Sequence, residues 1–174
     1  MSILAIIMIA IAVVAMKSNR GGTQKKFIKI YPVAEEYGPL SEGFQVSANL
    51  ESESEGSGVS LLLKLSIKNV TTGILSFPSN YPERDYEVIV TNEKGVRAPL
   101  TTFGKRLQEP EESRLVEVKV KAGEEVKDQI SLNKIYDLSA NGTYSLTAKR
   151  KVFKRNGKGI AEVVSNTVKF TISS

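Results

Sequence analysis

The sequence contains no cysteine, no histidine and no tryptophan. Without cysteine the chain has neither a disulfide nor a thiolate nucleophile, and without histidine it can build neither a Ser-His-Asp system nor an imidazole zinc site. The adjacent pairs Glu35-Glu36 and Glu124-Glu125 would face opposite ways on a strand, which does not suit the two carboxylates of a glycosidase. The sequence therefore predicts a non-catalytic protein without cofactor or metal.

Long apolar runs are also absent, with one exception at the N-terminus. Residues 3–16 carry no charge, and as a helix they would span about 21 Å, less than the roughly 30 Å of a bilayer core. We interpret residues 1–16 as an apolar helix that is either a signal peptide or a membrane anchor, and cleavage stays open. The basic residues Lys17 and Arg20 follow the run and none precedes it, so an uncleaved anchor could also point inward. The expectation is an exported or membrane-anchored domain outside the cytoplasm.

Residues 17–42 lack a hydrophobic period and begin with the polar stretch KSNRGGTQKK. Gly and polar residues in such a stretch are typical of a tether. The later part, FIKIYPVAEEYGPLSEG, adds apolar residues broken by Pro and Gly, and it could form a leading strand or a strap. We predict a polar connector over residues 17–42 and one domain over residues 43–174.

From residue 44 onward, apolar and polar side chains alternate with a period of two. The stretches FQVSANL and VSLLLKLSIK show this most clearly, and Gly- or Asn-containing turns separate further short stretches. Alternation of this kind is typical of strands that bury one face. Seven to nine such strands predict an all-β fold, an antiparallel sandwich of the immunoglobulin-like type.

The stretch YDLSANGTYSLTAKR, residues 136–150, predicts one corner of that sandwich. In immunoglobulin-type sandwiches a tyrosine near the start of strand F returns its hydroxyl to the backbone upstream, two residues before a disulfide cysteine. Asp137, Gly142 and Tyr144 fit the corner, and Leu146 occupies the cysteine position. The alternative is an ordinary turn before a strand with an inward aromatic residue.

The segments EEVKDQISLNKIYDLSANGTYSLTAKRKV and VVSNTVKFTI, within residues 124–172, resemble bacterial immunoglobulin-like domains of unknown function. They are also similar to the non-catalytic β-sandwich segment that precedes the catalytic domain of deuterolysin-type metallopeptidases. The resemblance implies an accessory or folding-assistant sandwich. It implies no catalytic residue, because the zinc-binding part of those peptidases requires histidine.

A run of cations in KRKVFKRNGK supplies the candidate contact residues. Its members, predicted to lie on one hairpin, are Lys149, Arg150, Lys151, Lys154, Arg155 and Lys158. Their positive potential would attract phosphate, sulfated sugar or anionic lipid headgroups. Phe153 alone offers little stacking surface, so nucleic acid is not the predicted partner. A solvated hairpin whose lysines discourage strand pairing is the other interpretation.

Together these features predict a binding or structural module with an unknown protein or an anionic surface as its partner. Residues 1–16 would add contact with a membrane if they are uncleaved. The alternative function is an accessory or inhibitor-like domain that acts on a protein partner through loops or sheet edges.

Overall fold

The computed structural model describes residues 26–55, 58–110 and 116–174. More than half of the chain is strand and the sheets are antiparallel, so the prediction of an all-β protein is confirmed. The strands are β1 (Phe27–Ile30), β2 (Phe44–Glu55), β3 (Gly58–Asn69), β4 (Leu75–Ser79), β5 (Tyr86–Asn92), β6 (Val116–Val120), β7 (Glu125–Ser131), β8 (Gly142–Phe153), β9 (Ile160–Val164) and β10 (Val168–Ser173). Three short helices lie between strands: α1 (Pro82–Asp85), α2 (Thr102–Leu107) and α3 (Leu132–Ile135).

Two sheets and a separate strand pair enclose one core. The larger sheet has the order β1-β10-β8-β5, with β9 also paired to β8; the second has the order β2-β3-β7, and β4 pairs with β6. Alternate residues of each long strand point inward, as the period of two predicts. The inward rows of β3 and β8 are Leu61, Leu63, Leu65 and Ile67, and Tyr144, Leu146, Ala148, Arg150 and Val152.

A three-residue interruption, Ser165 to Thr167, separates β9 from β10, which pair with successive parts of β8. The buried Asn166 side chain pairs there with the backbone of Ala48 in β2, accepting from its N–H at 2.7 Å and donating to its carbonyl at 2.9 Å. Ser165 pairs with Ala148 of β8 in the same way, through its backbone N–H and its hydroxyl. These bonds close the edge between the two sheets and satisfy polar groups that would be costly to bury alone.

The segment before β2 belongs to the sandwich. Strand β1 pairs with β10, and farther along the Gly38 N–H donates to the Val46 carbonyl at 2.8 Å. Gly38 passes so close to β9 that a methyl group there would lie 2.1 Å from the Val164 carbonyl oxygen. Within the connector predicted for residues 17–42, the alternating FIKI forms an edge strand, which is the leading strand that the sequence left open beside a strap. This strand and the interruption after β9 raise the strand number to ten, above the predicted seven to nine.

Within the described ranges, no helix combines the length and the apolar character needed to cross a bilayer. The apolar helix predicted for residues 1–16 lies outside those ranges.

Candidate binding surface

The predicted cationic run, residues 149–158, is divided by the alternation of β8. Arg150 points into the core and is 1% exposed, whereas Lys149 and Lys151 point to the outer face of the larger sheet. The prediction that Arg150 contacts an external anion therefore does not fit its position. A side chain between two faces of a sandwich cannot reach a surface partner.

Two carboxylates and two aromatic rings hold the buried guanidinium of Arg150. Nη2 lies 3.1 Å from Asp85, and Nη1 lies 3.4 Å from Asp128. The guanidinium carbon lies 4.2 Å from the ring centre of Phe77 and 4.5 Å from that of Tyr86, so the cation contacts both rings. Arginine suits this site because its flat guanidinium can stack and form two ion pairs at once.

The carboxylates around Arg150 are themselves fixed by hydrogen bonds. Asp85 accepts from the Ser79 hydroxyl at 2.6 Å and from the Asn80 backbone N–H at 2.7 Å, and the Tyr86 hydroxyl donates to Asp128 at 3.1 Å. The network thus joins β4, α1, β5, β7 and β8. Burial raises the pKa of Tyr86 well above its ordinary value, with the nearby positive charge of Arg150 acting in the opposite direction. This cluster is a structural cross-link between layers.

The outward members of the run form the exposed cationic surface. Lys149 pairs with Glu162 at 3.3 Å across the β8–β9 ladder. The other four cations, Lys151, Lys154, Arg155 and Lys158, are exposed and make no ion pair with any residue that the structure describes. Their positive potential is therefore available to a partner.

Two other turns lie beside the β8–β9 hairpin. The backbone N–H of Arg155 donates to the Glu42 carboxylate at 2.9 Å, and the Val70 N–H donates to the Gly43 carbonyl at 3.0 Å. Gly43 has a positive φ of 83°, and a methyl group there would lie 2.5 Å from Thr71, so glycine is needed for this close approach. We name the surface formed by residues 40–43, 70–74 and 153–160 the loop end.

Asn69 fixes the shape of the second turn of the loop end. Its side chain is fully buried, donating to the carbonyls of Gly73 and Val120 and accepting from the backbone and hydroxyl of Thr71. All of the side chain's hydrogen-bonding groups are satisfied, which is what a buried amide requires. The turn is therefore held in one conformation and presents the neighbouring Ile74 to solvent, where it is 67% exposed.

The predicted corner lies at the opposite end of β8. The Tyr144 hydroxyl donates to the Ala140 carbonyl at 3.0 Å, and its ring stacks on Phe170 with centres 5.4 Å apart. Hydrogen bonds from Ser139 hold the pKa of Asp137 below its ordinary value. Gly142 opens the strand and pairs with Ile172 of β10. We name this region, residues 138–144, the corner end.

A cleft of about 280 Å³ opens beside β5. Apolar side chains such as Leu100 and Leu107 line it together with charged groups of both signs, among them Glu87, Arg97 and Lys151. Arg97 and Glu87 pair at 3.3 Å on its rim. This mixture does not select one charge, and among the described residues no three His, Cys, Asp or Glu side chains cluster as metal ligands would.

A second concave region of about 420 Å³ lies on the outer face of the β2-β3-β7 sheet. Its central hydrogen bonds run from Ser66 and Tyr37 to the Glu125 carboxylate. The bond from Ser66, and secondarily that from Tyr37, keep the pKa of Glu125 below its ordinary value. The Tyr37 bond attaches the segment before β2 to the sheet, and the Ser66 bond joins β3 to β7.

The sequence reasoning missed the apolar half of the loop end. Leu40, Ile74 and Ile160 are each at least half exposed there, and Phe153 is 37% exposed. The sequence did contain a signal for this apolar surface. Large apolar residues beside Gly- and Asn-containing turns have few inward positions to occupy, so they are expected to be exposed. The partners of Arg150 were missed as well, because Asp85 and Asp128 are far from it in sequence.

Comparison with known proteins adds no assignment. No protein-family model matches the chain, and no curated protein matches it either.

Proposed function

We propose that the protein is a non-catalytic interaction module, exported or membrane-anchored, that binds an acidic partner through the hairpin joining β8 and β9. The observation that carries this proposal is the group of exposed cations Lys151, Lys154, Arg155 and Lys158 on the β8–β9 hairpin, which make no ion pair with any described residue. Cations without internal partners keep their full positive potential for a ligand. Scaffolds of this kind carry recognition residues on loops.

The proposed fold within the all-β class is an immunoglobulin-like sandwich. Assigning β2-β3-β7 to strands A-B-E, and β5-β8-β10 to C-F-G, accounts for the strand order of both sheets. Tyr144 then lies near the start of strand F with its hydroxyl on the upstream Ala140 carbonyl, and the fully buried Leu146 takes the place of a disulfide cysteine. These features support the assignment.

Two of the sheet edges, those of β5 and β2, are less suited than loops to partner binding. The β5 edge receives the Ala98 N–H at the Val90 carbonyl and the Tyr136 hydroxyl at the Val88 carbonyl. The β2 edge is closed by Asn166. Occupied backbone groups leave fewer sites for strand addition, and this favours the interaction module over an accessory domain that acts through its edges.

The test is a salt titration of binding to heparin, a polyanion. We expect affinity at 0.01 M salt that falls steeply by 0.1 M, because the screening length shrinks from about 30 Å to about 10 Å. The double variant Lys154→Glu/Lys158→Glu should lose this affinity. Its matched control is Lys94→Glu/Lys134→Glu, which makes the same change in net charge at exposed sites away from the hairpin. Absence of binding at low salt, or affinity that ignores salt, would overturn the proposal.

A further inference from the structure

Exposed apolar side chains are concentrated at the loop end. Nine large apolar side chains of the described residues are exposed, and five of these belong to the loop end: Leu40, Val70, Ile74, Phe153 and Ile160. Phe153 and Ile160 face each other across the β8–β9 ladder on the outer side of the larger sheet. Such concentration on a water-facing surface indicates a contact site.

The same surface carries the hairpin cations that have no ion-pair partner within the described part of the chain. Lys154, Arg155 and Lys158 lie in the loop between Phe153 and Ile160, so positive charge borders the apolar side chains directly. The acidic group in contact with this loop is Glu42, whose carboxylate accepts from the Arg155 backbone. A partner must therefore offer negative charge at its surface and an apolar medium just beneath it.

The residue types favour a lipid surface over a protein as that partner. Protein interfaces are enriched in tyrosine, tryptophan and arginine and depleted in lysine. The loop end has neither tyrosine nor tryptophan, and two of its three cations are lysine. Lysine beside phenylalanine, leucine and isoleucine is typical of segments that lie in the headgroup region of anionic bilayers.

We propose that the loop end docks on an anionic phospholipid bilayer, with Ile74, Phe153 and Ile160 entering the headgroup region and Lys154, Arg155 and Lys158 contacting lipid phosphates. This inference rests on the proposed interaction function and names its partner. The loop end suits a flat, deformable surface, because its apolar side chains come from separate turns that are hydrogen-bonded together.

The N-terminal strand β1 begins far from the loop end. Phe27 pairs with Ser173 near the corner end, and β8 runs 12 residues from there to Phe153, a distance of about 40 Å at 3.3 Å per residue. Residues 17–25 could span at most about 30 Å. If residues 1–16 stay in one bilayer, the loop end can therefore reach that bilayer only with β8 tilted, whereas an upright domain presents the loop end to a second, apposed membrane.

Site-specific fluorescence of the full chain tests the proposal. Because the chain has no cysteine, Thr72→Cys places a single polarity-sensitive dye on the loop end, and Ala140→Cys places one at the corner end as the matched control. The protein, held in neutral phosphatidylcholine vesicles, is mixed with added vesicles containing about 30% phosphatidylglycerol. This readout does not depend on any lipid contact made by residues 1–16, which are present in both proteins.

We expect the dye at position 72 to brighten with phosphatidylglycerol vesicles and not with neutral ones, while the dye at position 140 stays unchanged. Lys154→Gln/Arg155→Gln/Lys158→Gln should weaken the affinity for phosphatidylglycerol vesicles about 100-fold, at roughly five-fold for each cation removed. Ile74→Ser/Ile160→Ser should reduce the brightening, whereas Val96→Ser, an exposed apolar control on the turn after β5, should not.

Three results would overturn the lipid proposal: no response at position 72, an equal response at position 140, or suppression by 10 mM inorganic phosphate, which would indicate a site for the free anion. If any of these results is found and the protein still binds heparin, the proposed interaction function stands with a different acidic partner. Loss of both heparin and vesicle binding would remove the two together.

Discussion

Arg150 and Lys158 belong to one run of cations, yet they occupy opposite environments. Arg150 is 1% exposed between Asp85 and Asp128, while Lys158 lies in the exposed hairpin loop and has no ion-pair partner among the described residues. The two side chains carry the same charge. The difference shows that position in the β8–β9 hairpin, not charge, decides whether a cation stabilises the fold or remains available for binding.

The largest expected effect on the free energy of unfolding comes from replacing Arg150, the buried cation of the run. Arg150→Ala leaves the carboxylates of Asp85 and Asp128, which are 5% and 19% exposed, without their counter-charge, and removing one partner of a buried ion pair costs about 3–5 kcal/mol. Lys151→Ala, its exposed neighbour on β8, should change the free energy of unfolding by less than about 0.5 kcal/mol. Urea unfolding at pH 7 measures both. Equal effects in the two variants would contradict the distinction between a buried cation that stabilises the fold and an exposed cation that does not.

Tyr86→Phe tests the hydrogen bond between Tyr86 and Asp128, one of the carboxylates beside Arg150. It removes the hydroxyl donor to Asp128, and a hydrogen bond to a charged group contributes about 1.5–3 kcal/mol. Because burial raises the pKa of Tyr86 in the folded state, its contribution is complete below pH 10 and is lost as pH rises further.

The free energy of unfolding should therefore fall with alkaline pH less steeply in Tyr86→Phe than in the wild type. The difference in slope is about 1.4 kcal/mol for each pH unit above 10. Urea unfolding at pH 8 and at pH 11 measures it. Parallel pH dependence in the two proteins would mean that Tyr86 ionises equally in folded and unfolded chains.

Much of the fold could be predicted from the sequence because its signal is local. Alternation in FQVSANL and VSLLLKLSIK marks β2 and β3, and the spacing from Gly142 to Tyr144 marks the start of β8. Pro78 gives the opposite local signal, yet it lies within β4, which pairs with β6 alone. An edge strand tolerates a residue without an N–H group.

The binding surface was less predictable because its parts come together only through tertiary contacts. Spacing alone places Arg150 inward if Tyr144 is inward, since the two are six residues apart on one strand. The identity of Asp85 and Asp128 as its partners depends on how the layers stack. The loop end likewise joins three turns that are far apart in sequence, so its combination of charge and apolar surface appears only in the folded chain.

Lys149 lies between the two extremes of the run, with a side chain about one-third exposed and paired to Glu162. Lys149→Ala should lower the free energy of unfolding by about 0.2–1 kcal/mol, the usual contribution of a partly exposed ion pair. The loss should shrink at 1 M salt, where screening weakens such a pair. A double-mutant cycle with Glu162→Ala isolates the pair energy, and a coupling above about 2 kcal/mol would place Lys149 with the buried cations.

The smallest effect on stability is expected at the hairpin loop. Lys154→Gln/Lys158→Gln removes two exposed cations whose side chains make no hydrogen bond to a described residue, so the free energy of unfolding should stay within about 0.5 kcal/mol of the wild type. A small rise is the expected direction, because the chain carries a net charge of +5 and neutralising neighbouring cations relieves repulsion. Urea unfolding measures the change, with Lys94→Gln/Lys134→Gln as the matched control. A loss above about 1 kcal/mol in the hairpin variant alone would mean that these lysines hold the fold together, and the contrast with Arg150 would no longer separate stability from binding.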